Sequence, residues 1–423
     1  MDILVVGSGG REHAVIRKLK ESKNAGTIYC CPGNGGIAAD AACVDVSATD
    51  IPGVAALAKE KKVGLVVVTP DDPLVLGMAD ALEAQGIPAF GPSKRAAAIE
   101  GSKVFSKDLM RRYGIPTARY ESFDDPARAA AYLRAQNRYP AVIKADGLAL
   151  GKGVVIAKDE NEALEAVRSM MEDKKFGESG SRVVIEEFLE GVEVSVLAFT
   201  DSVSVVPMAP SMDHKRALDG DEGPNTGGMG TIAPHPLYTP EVEKRCMEEI
   251  FLPTIRAMNA EGRPFQGVLY FGLMLTGRGP VVIEYNCRFG DPETQVVLPL
   301  LEGDLLEIML AVREKRLASV SAGRKEGCAA CVVLASGGYP VSYQKGFPIR
   351  GLDPDGQVPG AVVYHAGTVR AADGGFLTGG GRVLGVTALG ETLPEALDRS
   401  YAALRKISFE GAFCRADIGQ KVL

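Results

Sequence analysis

The stretch Lys144-Ala-Asp-Gly-Leu-Ala-Leu-Gly-Lys-Gly-Val-Val-Ile156 decides how this chain is interpreted. It invites comparison with a Walker A phosphate loop, but three residues separate Gly147 from Gly151, and Gly153 stands where that loop requires Ser or Thr. A strand follows it, whereas a P-loop continues into a helix. The pattern therefore predicts a glycine-rich hairpin between two strands, able to close over a triphosphate while Lys144 supplies positive charge. An ordinary β-turn is the alternative.

Downstream of that hairpin, the run from Val183 to Glu193 indicates a strand that continues into an extended linker. Backbone groups of such a linker can face an adenine edge, and an acid such as Glu193 can accept hydrogen bonds from ribose hydroxyls. A solvated strand end is the alternative explanation, and the neighbouring hairpin favours the nucleotide.

Two oxygen ligands for a metal stand further along, at Glu284 and Asn286. Because they are two apart in a strand, their side chains leave the same face. A carboxylate and an amide oxygen, completed by water and phosphate oxygens, suit Mg²⁺. The following turn crowds Arg288 against Asp291 and Glu293, a density of charge that surface decoration does not explain.

A polar, glycine-rich segment from Asp213 to Gly230 interrupts the strands of this region. Loops longer than about 12–15 residues are usually functional or disordered, and the charges here are too mixed for a disordered tail. We therefore predict a substrate loop. His214 within it is a general base by residue type, with a structural histidine as an equally good interpretation.

Before the hairpin, strands and helices alternate from Ile3 to about Gly101, which predicts a parallel sheet with helices on both faces. The first turn, Gly7-Ser-Gly-Gly-Arg-Glu12, suits an anion because its N–H groups open a helix. It fails as a nicotinamide-dinucleotide fingerprint, since Glu12 replaces the third glycine and Cys30-Cys31 stands where the ribose-binding acid belongs. A phosphorylated small substrate and a purely structural turn are the two interpretations left.

Length and composition limit the class of protein. With 423 residues, 46% hydrophobic and 24% charged, the chain should hold two to four globular domains. The net charge of −7 argues against nucleic acid, and no run approaches the ~20 apolar residues of a membrane helix. We expect a soluble, cytoplasmic protein without a signal peptide, in which Cys328 and Cys331 are reduced and buried rather than a redox or zinc pair.

Together these segments resemble the phosphoribosylamine–glycine ligase family of the ATP-grasp superfamily, nearly end to end. The resemblance rests on Gly-Ser-Gly-Gly-Arg-Glu-His at 7–13, Pro-Gly-Asn-Gly-Gly at 32–36, Glu-Gly-Ser-Lys at 100–103, Lys-Ala-Asp-Gly-Leu at 144–148, Asp-His-Lys-Arg at 213–216, Gly-Pro-Asn-Thr-Gly-Gly-Met-Gly at 223–230, Asn-Cys-Arg-Phe-Gly-Asp-Pro-Glu at 286–293 and His-Ala-Gly-Thr at 365–368. The octapeptide at 286–293 and the Thr-Gly-Gly-Met loop at 226–229 are highly specific.

The resemblance implies an α/β fold with a doubly wound parallel-sheet domain at 1–101, a two-lobed ATP-grasp core at 102–320 and a small C-terminal α/β domain at 321–423, the lid lobe spanning about 118–190. It implies that ATP, glycine and 5-phosphoribosylamine give glycinamide ribonucleotide, ADP and phosphate in purine synthesis. Mg²⁺ or Mn²⁺ is the implied metal. We expect no nucleic acid or membrane partner, and a monomer, with a homodimer left open.

By position, the resemblance distributes the predicted site residues among four roles. Catalysis falls to Lys144, Asp213, Asn225, Thr226 and Arg288, and the metal to Glu284 and Asn286. The nucleotide falls to Lys103, Lys144, Gly151, Lys152, Gly153, Glu186, Glu187, Phe188, Leu189 and Glu193. Glycine and the sugar phosphate fall to Gly9, Gly10, Arg11, Glu12, Asn34, Asp71, Asp213, Lys215, Gly227, Gly228, Met229, Arg288, Asp291 and Glu293.

Two departures from the family pattern affect this assignment. Where the family often has Gly-Pro-Glu, this chain has Thr69-Pro-Asp71, with Asp72 following. Many ATP-grasp enzymes also place a metal carboxylate on the strand before Glu284, but Leu273-Met-Leu275 offers none, so two tightly held ions are not expected.

The alternatives to this function are another ATP-grasp carboxylate–amine ligase or carboxylase, a nicotinamide dehydrogenase, and a non-catalytic nucleotide sensor. The missing ribose acid disfavours the dehydrogenase. The joint presence of Lys103, Lys144, Glu284 and Arg288 disfavours the sensor.

Overall fold

A computed structural model describes residues 1–148, 153–173 and 177–423 of the chain. The N-terminal unit contains β1 (Ile3–Gly7), α1 (Gly10–Leu19), β2 (Ile28–Pro32), β3 (Ala42–Cys43), α2 (Ile51–Glu60), β4 (Leu65–Val68), α3 (Asp71–Leu76), α4 (Met78–Glu83), β5 (Ala89–Phe90), α5 (Lys94–Gly101) and α6 (Lys103–Tyr113). Its five strands are parallel in the order β3-β2-β1-β4-β5. The predicted doubly wound sheet is confirmed, since β1 is buried along its whole length between helices.

The basic helix that the sequence predicts from Gly101 to Tyr113 begins two residues later than expected. Ser102 has extended backbone angles, φ −140° and ψ 113°, and its hydroxyl accepts from the Phe105 N–H. Such a side chain starts a helix, because it satisfies one of the free N–H groups of the first turn. The cap separates α5 from α6 and places Lys103 at the first position of α6.

The lid unit comprises β6 (Tyr120–Phe123), α7 (Pro126–Gln136), β7 (Ala141–Ala145), β8 (Val154–Ala157), α8 (Glu160–Val167), a π-helical turn (Arg168–Glu172) and β9 (Val183–Glu187). Its four strands are antiparallel in the order β6-β9-β7-β8. Lys144 pairs with Val154, and the Ala145 N–H donates to the Gly153 carbonyl at 2.8 Å. The predicted hairpin between two strands is therefore present, while Gly151 and Lys152 at its tip lie outside the described residues.

The central unit contains β10 (Val192–Asp201), β11 (Val205–Pro207), β12 (Met212–Asp213), β13 (Arg216–Leu218), β14 (Glu222–Asn225), β15 (Gly230–Ala233), α9 (Pro240–Arg245), a π-helical turn (Cys246–Phe251), α10 (Leu252–Ala260), β16 (Gln266–Thr276), β17 (Gly279–Asn286), α11 (Thr294–Val297), β18 (Leu301–Glu302), α12 (Leu305–Arg313) and β19 (Gly323–Arg324). Its main sheet is antiparallel in the order β11-β10-β16-β17. The edge strand β17 carries the predicted metal ligands toward the lid.

The prediction of a structureless loop from Asp213 to Gly230 is wrong. β13 and β14 pair as a polar hairpin whose turn passes through Gly220 at φ +69°. β12 and β15 flank it and pair with each other. The hairpin strands are largely exposed and carry no apolar alternation, so hydrophobic periodicity gives no signal for them.

The C-terminal unit contains β20 (Cys328–Ala335), β21 (Pro348–Ile349), β22 (Val362–His365), β23 (Thr368–Arg370), β24 (Phe376–Thr378), β25 (Arg382–Gly390) and α13 (Leu393–Leu404). Its main sheet runs in the order β12-β15-β20-β25-β22, so two strands of the central unit complete it. α13 covers one face through buried residues such as Leu397. Within the described residues, no helix is both long and apolar enough to cross a membrane.

Candidate active site

Two lysines and one glutamate form a buried row where the lid meets β17. The Lys144 ammonium lies 3.0 Å from one carboxylate oxygen of Glu186, and the Lys107 ammonium lies 3.0 Å from the other. Burial lowers the pKa of Lys107 to about 8. Lys144 also donates to the Ile283 carbonyl at 3.2 Å, which ties the lid to β17. The nucleoside contact for Glu186 stays a prediction, because two cations hold its carboxylate here.

Lys103 anchors the first strand end of the lid hairpin. Its ammonium donates to the Gly147 carbonyl at 2.7 Å. Burial lowers the pKa of Lys103. Nearby, Asp146 accepts hydrogen bonds from the Val104 N–H at 3.1 Å and the Ser102 hydroxyl at 3.0 Å. The motif 144–148 contains Asp146, to which no role was assigned from the sequence. The structure shows that it holds the start of α6 against the hairpin.

The linker after β9 lines a cavity of about 490 Å³ together with α7. Glu187 lies 3.4 Å from the Arg278 guanidinium and 3.6 Å from that of Arg119. Phe188 is exposed, and Leu189 beside it lines the same cavity. Glu187 at the end of β9 and the linker residues Phe188 and Leu189, all predicted to contact the nucleotide, are therefore neighbours around one opening.

Glu284 lies at the meeting point of four cations. On β17 it is half-buried, and the Lys215 ammonium stands 3.8 Å from its carboxylate and 3.2 Å from that of Glu193. Burial favours the neutral form of Glu284, but Lys215, Lys144, Lys103 and Arg288 together hold its pKa below the usual value. Lys144, Lys215 and Arg288 also have other acidic partners in Glu186, Glu193 and Glu100, whereas Lys103 donates to a carbonyl. The lysine ammonium groups converging on Glu284 are donors that a polyphosphate can use.

The oxygen donors predicted for a metal fit an ion that arrives with phosphate. Glu284 and Asn286 flank the buried Tyr285, so both side chains leave the same face of β17, as predicted. Among the described residues, no group of three His, Cys, Asp or Glu side chains is placed to hold a metal. Two protein oxygens leave most of the six sites of Mg²⁺ to water and substrate, which is how this ion is usually bound.

Arg288 is positioned by two acids of the N-terminal unit. Its guanidinium lies 3.0 Å from Glu100 and 3.7 Å from Asp71. Glu100 also accepts from the Cys287 N–H at 2.7 Å, which fixes its carboxylate. Although burial opposes it, the Arg288 charge holds the pKa of Asp71 below its usual value, whereas burial raises that of Glu100.

One nitrogen of Arg288 is left for a ligand. Its Nε is buried and has no hydrogen-bond partner among the described residues. Sequence reasoning did not assign Glu100, although the motif Glu-Gly-Ser-Lys at 100–103 contains it.

The first glycine loop is held closed by Glu12. This buried carboxylate accepts from the Gly9 N–H at 2.5 Å and pairs with the Arg11 guanidinium at 2.6 Å. Gly7 at φ +126° leaves room for it, since a Cβ there would lie 2.6 Å from Glu12 Cγ. Arg11 reaches the Phe289 carbonyl at 3.1 Å. Glu12 therefore supports the loop. Gly10 and Arg11, which begin α1, stay the predicted ligand contacts of this loop.

Asn34 joins the N-terminal and C-terminal units. Its amide donates to the Ser8 and His365 carbonyls at 2.8 Å each, and its oxygen accepts from the Gly36 and Ile37 N–H groups. With all these bonds in place, the side chain has a supporting role beside the glycine loop. Its predicted contact with substrate stays a prediction.

Asp213 and Glu293 form a pair of facing carboxylates. Burial and the Glu293 charge raise the pKa of Asp213 well above its usual value, and burial raises that of Glu293. Glu293 accepts from the Tyr270 hydroxyl at 3.1 Å, which in turn is 2.7 Å from the Ser195 hydroxyl. Two close carboxylates that resist ionising together are a receptor for a cation. An ammonium group is the cation that the predicted substrate glycine supplies.

The C-terminal unit contributes Arg382, which the sequence analysis missed. It donates to the carbonyls of Gly227 and Asp291 at 2.6 and 2.9 Å and lies 3.3 Å from the Asp291 carboxylate. A Cβ on Gly228 would stand 2.7 Å from Asp213. Arg382 therefore holds the Gly227–Gly228 turn against the carboxylate pair. Its only sequence signal is its place after three glycines, 379–381.

The remaining predicted residues of the 213–230 segment differ in accessibility. Asn225 is exposed, and Thr226 donates to the Lys215 carbonyl at 2.9 Å. The Met229 side chain is fully buried, so only its backbone is placed to meet a ligand. His214 is buried, accepts from the Gly419 N–H and has its pKa lowered to about 4 by burial, which favours its structural interpretation over a general base.

The lid sheet and the central sheet, joined across a cationic cleft, define an ATP-grasp enzyme. The phosphoribosylglycinamide synthetase family matches in three segments: its N domain at residues 1–100, its ATP-grasp (A) domain at 101–294 and its C domain at 329–421. The chain belongs to this phosphoribosylglycinamide synthetase family. The predicted family, the fold class and an ATP-dependent ligase are thereby confirmed, and membership implies use of ATP and of a divalent metal.

Individual proteins agree with the family. A phosphoribosylamine–glycine ligase of Vibrio vulnificus is 49% identical, over 100% of this chain and 99% of the relative. The crystal structure of the Thermotoga maritima phosphoribosylamine–glycine ligase is 33% identical with a TM-score of 0.84, covering 99% of this chain and 100% of that one. The biotin carboxylase domain of a Hydrogenobacter thermophilus 2-oxoglutarate carboxylase has a TM-score of 0.75 at 18% identity, over 97% and 91%, which shows a shared fold alone.

Proposed function

We propose that this chain joins glycine to 5-phosphoribosylamine at the expense of ATP, giving glycinamide ribonucleotide, ADP and phosphate. The observation that carries the proposal is the group of four cations around the ionised Glu284, which adjoins the Asp213–Glu293 carboxylate pair. One half of this cleft suits phosphates and the other suits an ammonium group. A ligase acting on an amino acid needs both.

Glycine is held at both ends in this proposal. The Asp213–Glu293 pair receives its ammonium group, and Arg288, with its free Nε, receives its carboxylate. Lys103, Lys144 and Lys215 receive the phosphates of ATP. When bound, Mg²⁺ or Mn²⁺ on Glu284 and Asn286 neutralises phosphate charge. The glycine loop with Gly10 and Arg11 receives the sugar phosphate, because a helix N-terminus favours an anion.

The chemistry proceeds in two steps. A glycine carboxylate oxygen attacks the γ-phosphorus, the bond to the β-phosphate oxygen breaks, and ADP leaves glycyl phosphate behind. The amine of the second substrate then attacks the acyl carbon, the C–O bond to phosphate breaks, and phosphate leaves with the amine's proton. The side chains position the reactants and balance charge, which is the main demand of phosphoryl transfer.

The cysteines support the setting of this proposal. All eight cysteines lie in the described residues and are free, which fits the reducing compartment predicted from the sequence. Cys331 is buried as predicted, whereas Cys328, at the start of β20, is only partly buried.

The substrate assignment is tested by measuring ADP release with a matrix of amino acids, bicarbonate and phosphorylated sugar amines. We expect turnover only when glycine and 5-phosphoribosylamine are both present. Turnover with bicarbonate, or with another amino acid at a comparable rate, contradicts the proposed substrates.

The intermediate is tested with glycine labelled with ¹⁸O in its carboxyl group. One label should appear in the released phosphate, and no phosphorylated protein should be trapped on quenching. Label retained wholly in the amide product, or a phosphohistidine at any of the four histidines, refutes the acyl phosphate step.

A further inference from the structure

A cavity of about 710 Å³ lies between α1 and the C-terminal sheet, apart from the cleft described above. Its walls are the face of α1 around Lys18, the segment at Leu298 and Pro299, and strands β22 and β25. Lys18 is eight residues beyond Gly10, which corresponds to about 12 Å along the helix axis. The cavity therefore lies toward the far end of the helix that begins at the glycine loop.

The cavity carries more positive than negative charge. Five basic residues line it, against two acids: Arg17, Lys18, Lys20, Lys325 and Arg399 against Glu21 and Asp40. Asp40 is already shared by His13, Arg17 and Lys20. Lys18 pairs with Glu21 and Arg399 with Glu395, so Lys325 is the cation of this cavity that has no acidic partner among the described residues.

Lys18 and Lys325 are held side by side by backbone carbonyls. Lys18 donates to the Leu301 carbonyl at 3.0 Å, and Lys325 donates to the Pro299 carbonyl at 3.2 Å. Carbonyls fix an ammonium group without cancelling its charge. Lys18 also pairs with Glu21, an exposed side chain. Burial lowers the pKa of Lys18, and the charge of Lys325 lowers it further, so the two ammonium groups feel each other.

Two hydroxyl groups from the C-terminal sheet lie at the same cavity. The Thr387 hydroxyl is buried and has no hydrogen-bond partner of normal geometry among the described residues, with only the Cys331 thiol, a weak partner, beside it. The Tyr364 side chain is 4% exposed, and its ring packs edge-on against His13. Buried polar groups in folded proteins are normally satisfied, so an unpaired hydroxyl beside a cationic cavity indicates a missing ligand.

We propose that this cavity binds a monophosphorylated small molecule of nucleotide size, with the phosphate between Lys18 and Lys325 and the rest of the molecule against Tyr364 and Thr387. Its volume is within the range of small-molecule sites, about 300–1,000 Å³. The aliphatic wall at Leu298 and Pro299 suits a ring or a sugar face, and the paired ammonium groups suit a compact dianion. Such a ligand bridges the N-terminal and C-terminal units.

The site is tested by titration calorimetry of the full chain with AMP, with inorganic phosphate and adenosine as partial probes. The ATP site is first filled with a non-hydrolysable ATP analogue and Mg²⁺, so that binding there does not contribute. The variants are Lys18→Gln and Lys325→Gln. Lys23→Gln is the matched control, since Lys23 is an exposed lysine near α1 that does not line the cavity.

We expect one saturable AMP site in the wild type and in Lys23→Gln, and weaker binding when the salt concentration rises. Lys325→Gln should bind about tenfold more weakly, because it loses one charge-assisted hydrogen bond. Adenosine should bind far more weakly than AMP. If Lys18→Gln does not fold, the exposed Lys325 decides the question alone.

Three results overturn the proposal: no saturable AMP binding in the blocked wild type, equal affinity in Lys325→Gln and wild type, or adenosine binding as tightly as AMP. The first excludes a ligand of this class. The second places the AMP elsewhere on the chain, and the third removes the phosphate subsite.

Discussion

Replacing Glu100 by Gln tests whether Glu100 positions Arg288 for catalysis or mainly stabilises the fold. Glu100 lies 3.0 Å from the Arg288 guanidinium and accepts from the Cys287 N–H. Gln keeps the size of the side chain and an oxygen for that N–H, and removes only the charge. Within the described part of the chain, Asp71, 3.7 Å away, then remains the one carboxylate at ion-pair distance from Arg288.

The expected effect on stability is small. At an effective dielectric constant of 20, the attraction across 3.0 Å is about 5.5 kcal/mol before the cost of burial. That cost is of similar size, because burial raises the pKa of Glu100 despite the cation beside it. Because folding raises the pKa of Glu100, its contribution to the free energy of unfolding falls as pH rises from its ordinary pKa through the raised one. Gln does not ionise, so the variant lacks this fall. We expect the free energy of unfolding to change by no more than about 1 kcal/mol.

The expected effect on catalysis is larger. Without its closest partner, Arg288 can swing away from the position that we propose for the glycine carboxylate. A misplacement of this kind should lower kcat/KM for glycine by about 10- to 100-fold, equivalent to about 1.4–2.7 kcal/mol of transition-state stabilisation.

The assay combines steady-state ADP release with urea unfolding of the same samples. Glu60→Gln is the control, since Glu60 is exposed and its ion-pair partner is the neighbouring Lys61. The double variant with Arg288→Lys should lose less than the sum of the two single losses, because Glu100 acts through Arg288. Wild-type kcat/KM in Glu100→Gln, or fully additive losses, refutes the positioning role.

Three further predictions concern the cleft. Glu284→Ala should abolish turnover and leave the melting temperature within a few degrees of wild type, since this half-buried strand end adds little to the core. Glu222→Ala, at an exposed position, is the control, and near-normal turnover of Glu284→Ala at saturating Mg²⁺ contradicts the metal assignment. Lys144→Ala should lower kcat/KM by about 10²–10³, or about 3–4 kcal/mol, and an unchanged kcat/KM removes Lys144 from phosphate binding. Burial lowers the pKa of Lys107 from its ordinary 10.5 to about 8, so the folded chain releases this proton at lower pH than the unfolded chain, and the contribution of Lys107 to stability rises with pH between those values. Lys107→Met should remove this rise in the free energy of urea unfolding measured from pH 8 to 10.5. An unchanged pH dependence contradicts the lowered pKa of Lys107.

The sequence predicted those parts of the site that depend on local spacing. Glu284 and Asn286 share a face because a strand alternates, and the hairpin after Lys144 follows from two apolar runs around glycines. The glycine loop before α1 could be recognised for the same reason. These features are encoded within about a dozen neighbouring residues.

The parts that the sequence did not predict depend on distant segments meeting. Glu100 is recognised as a positioning acid only when Arg288, nearly two hundred residues later, is placed beside it. Arg382 reaches the Gly227–Gly228 turn from another unit, and Lys107 finds Glu186 across the cleft. The prediction for 213–230 was wrong because the hairpin strands β13 and β14 are polar, and because β15, which follows them, pairs with β20 far along the chain.

Because β12 and β15 complete the C-terminal sheet, this sheet can form only after strands from both ends of the segment 212–390 have been synthesised. Thr231 pairs with Cys331, so β15 leaves the ribosome about 100 residues before its partner. At about 5–20 residues per second, its edge stays unpaired for roughly 5–20 s. Conversely, residues 328–423 expressed alone present β20 as an open, largely apolar edge, which is a template for aggregation. The last quarter of the chain is therefore not a detachable module, and a separate fragment regains its sheet only when residues 212–233 are supplied.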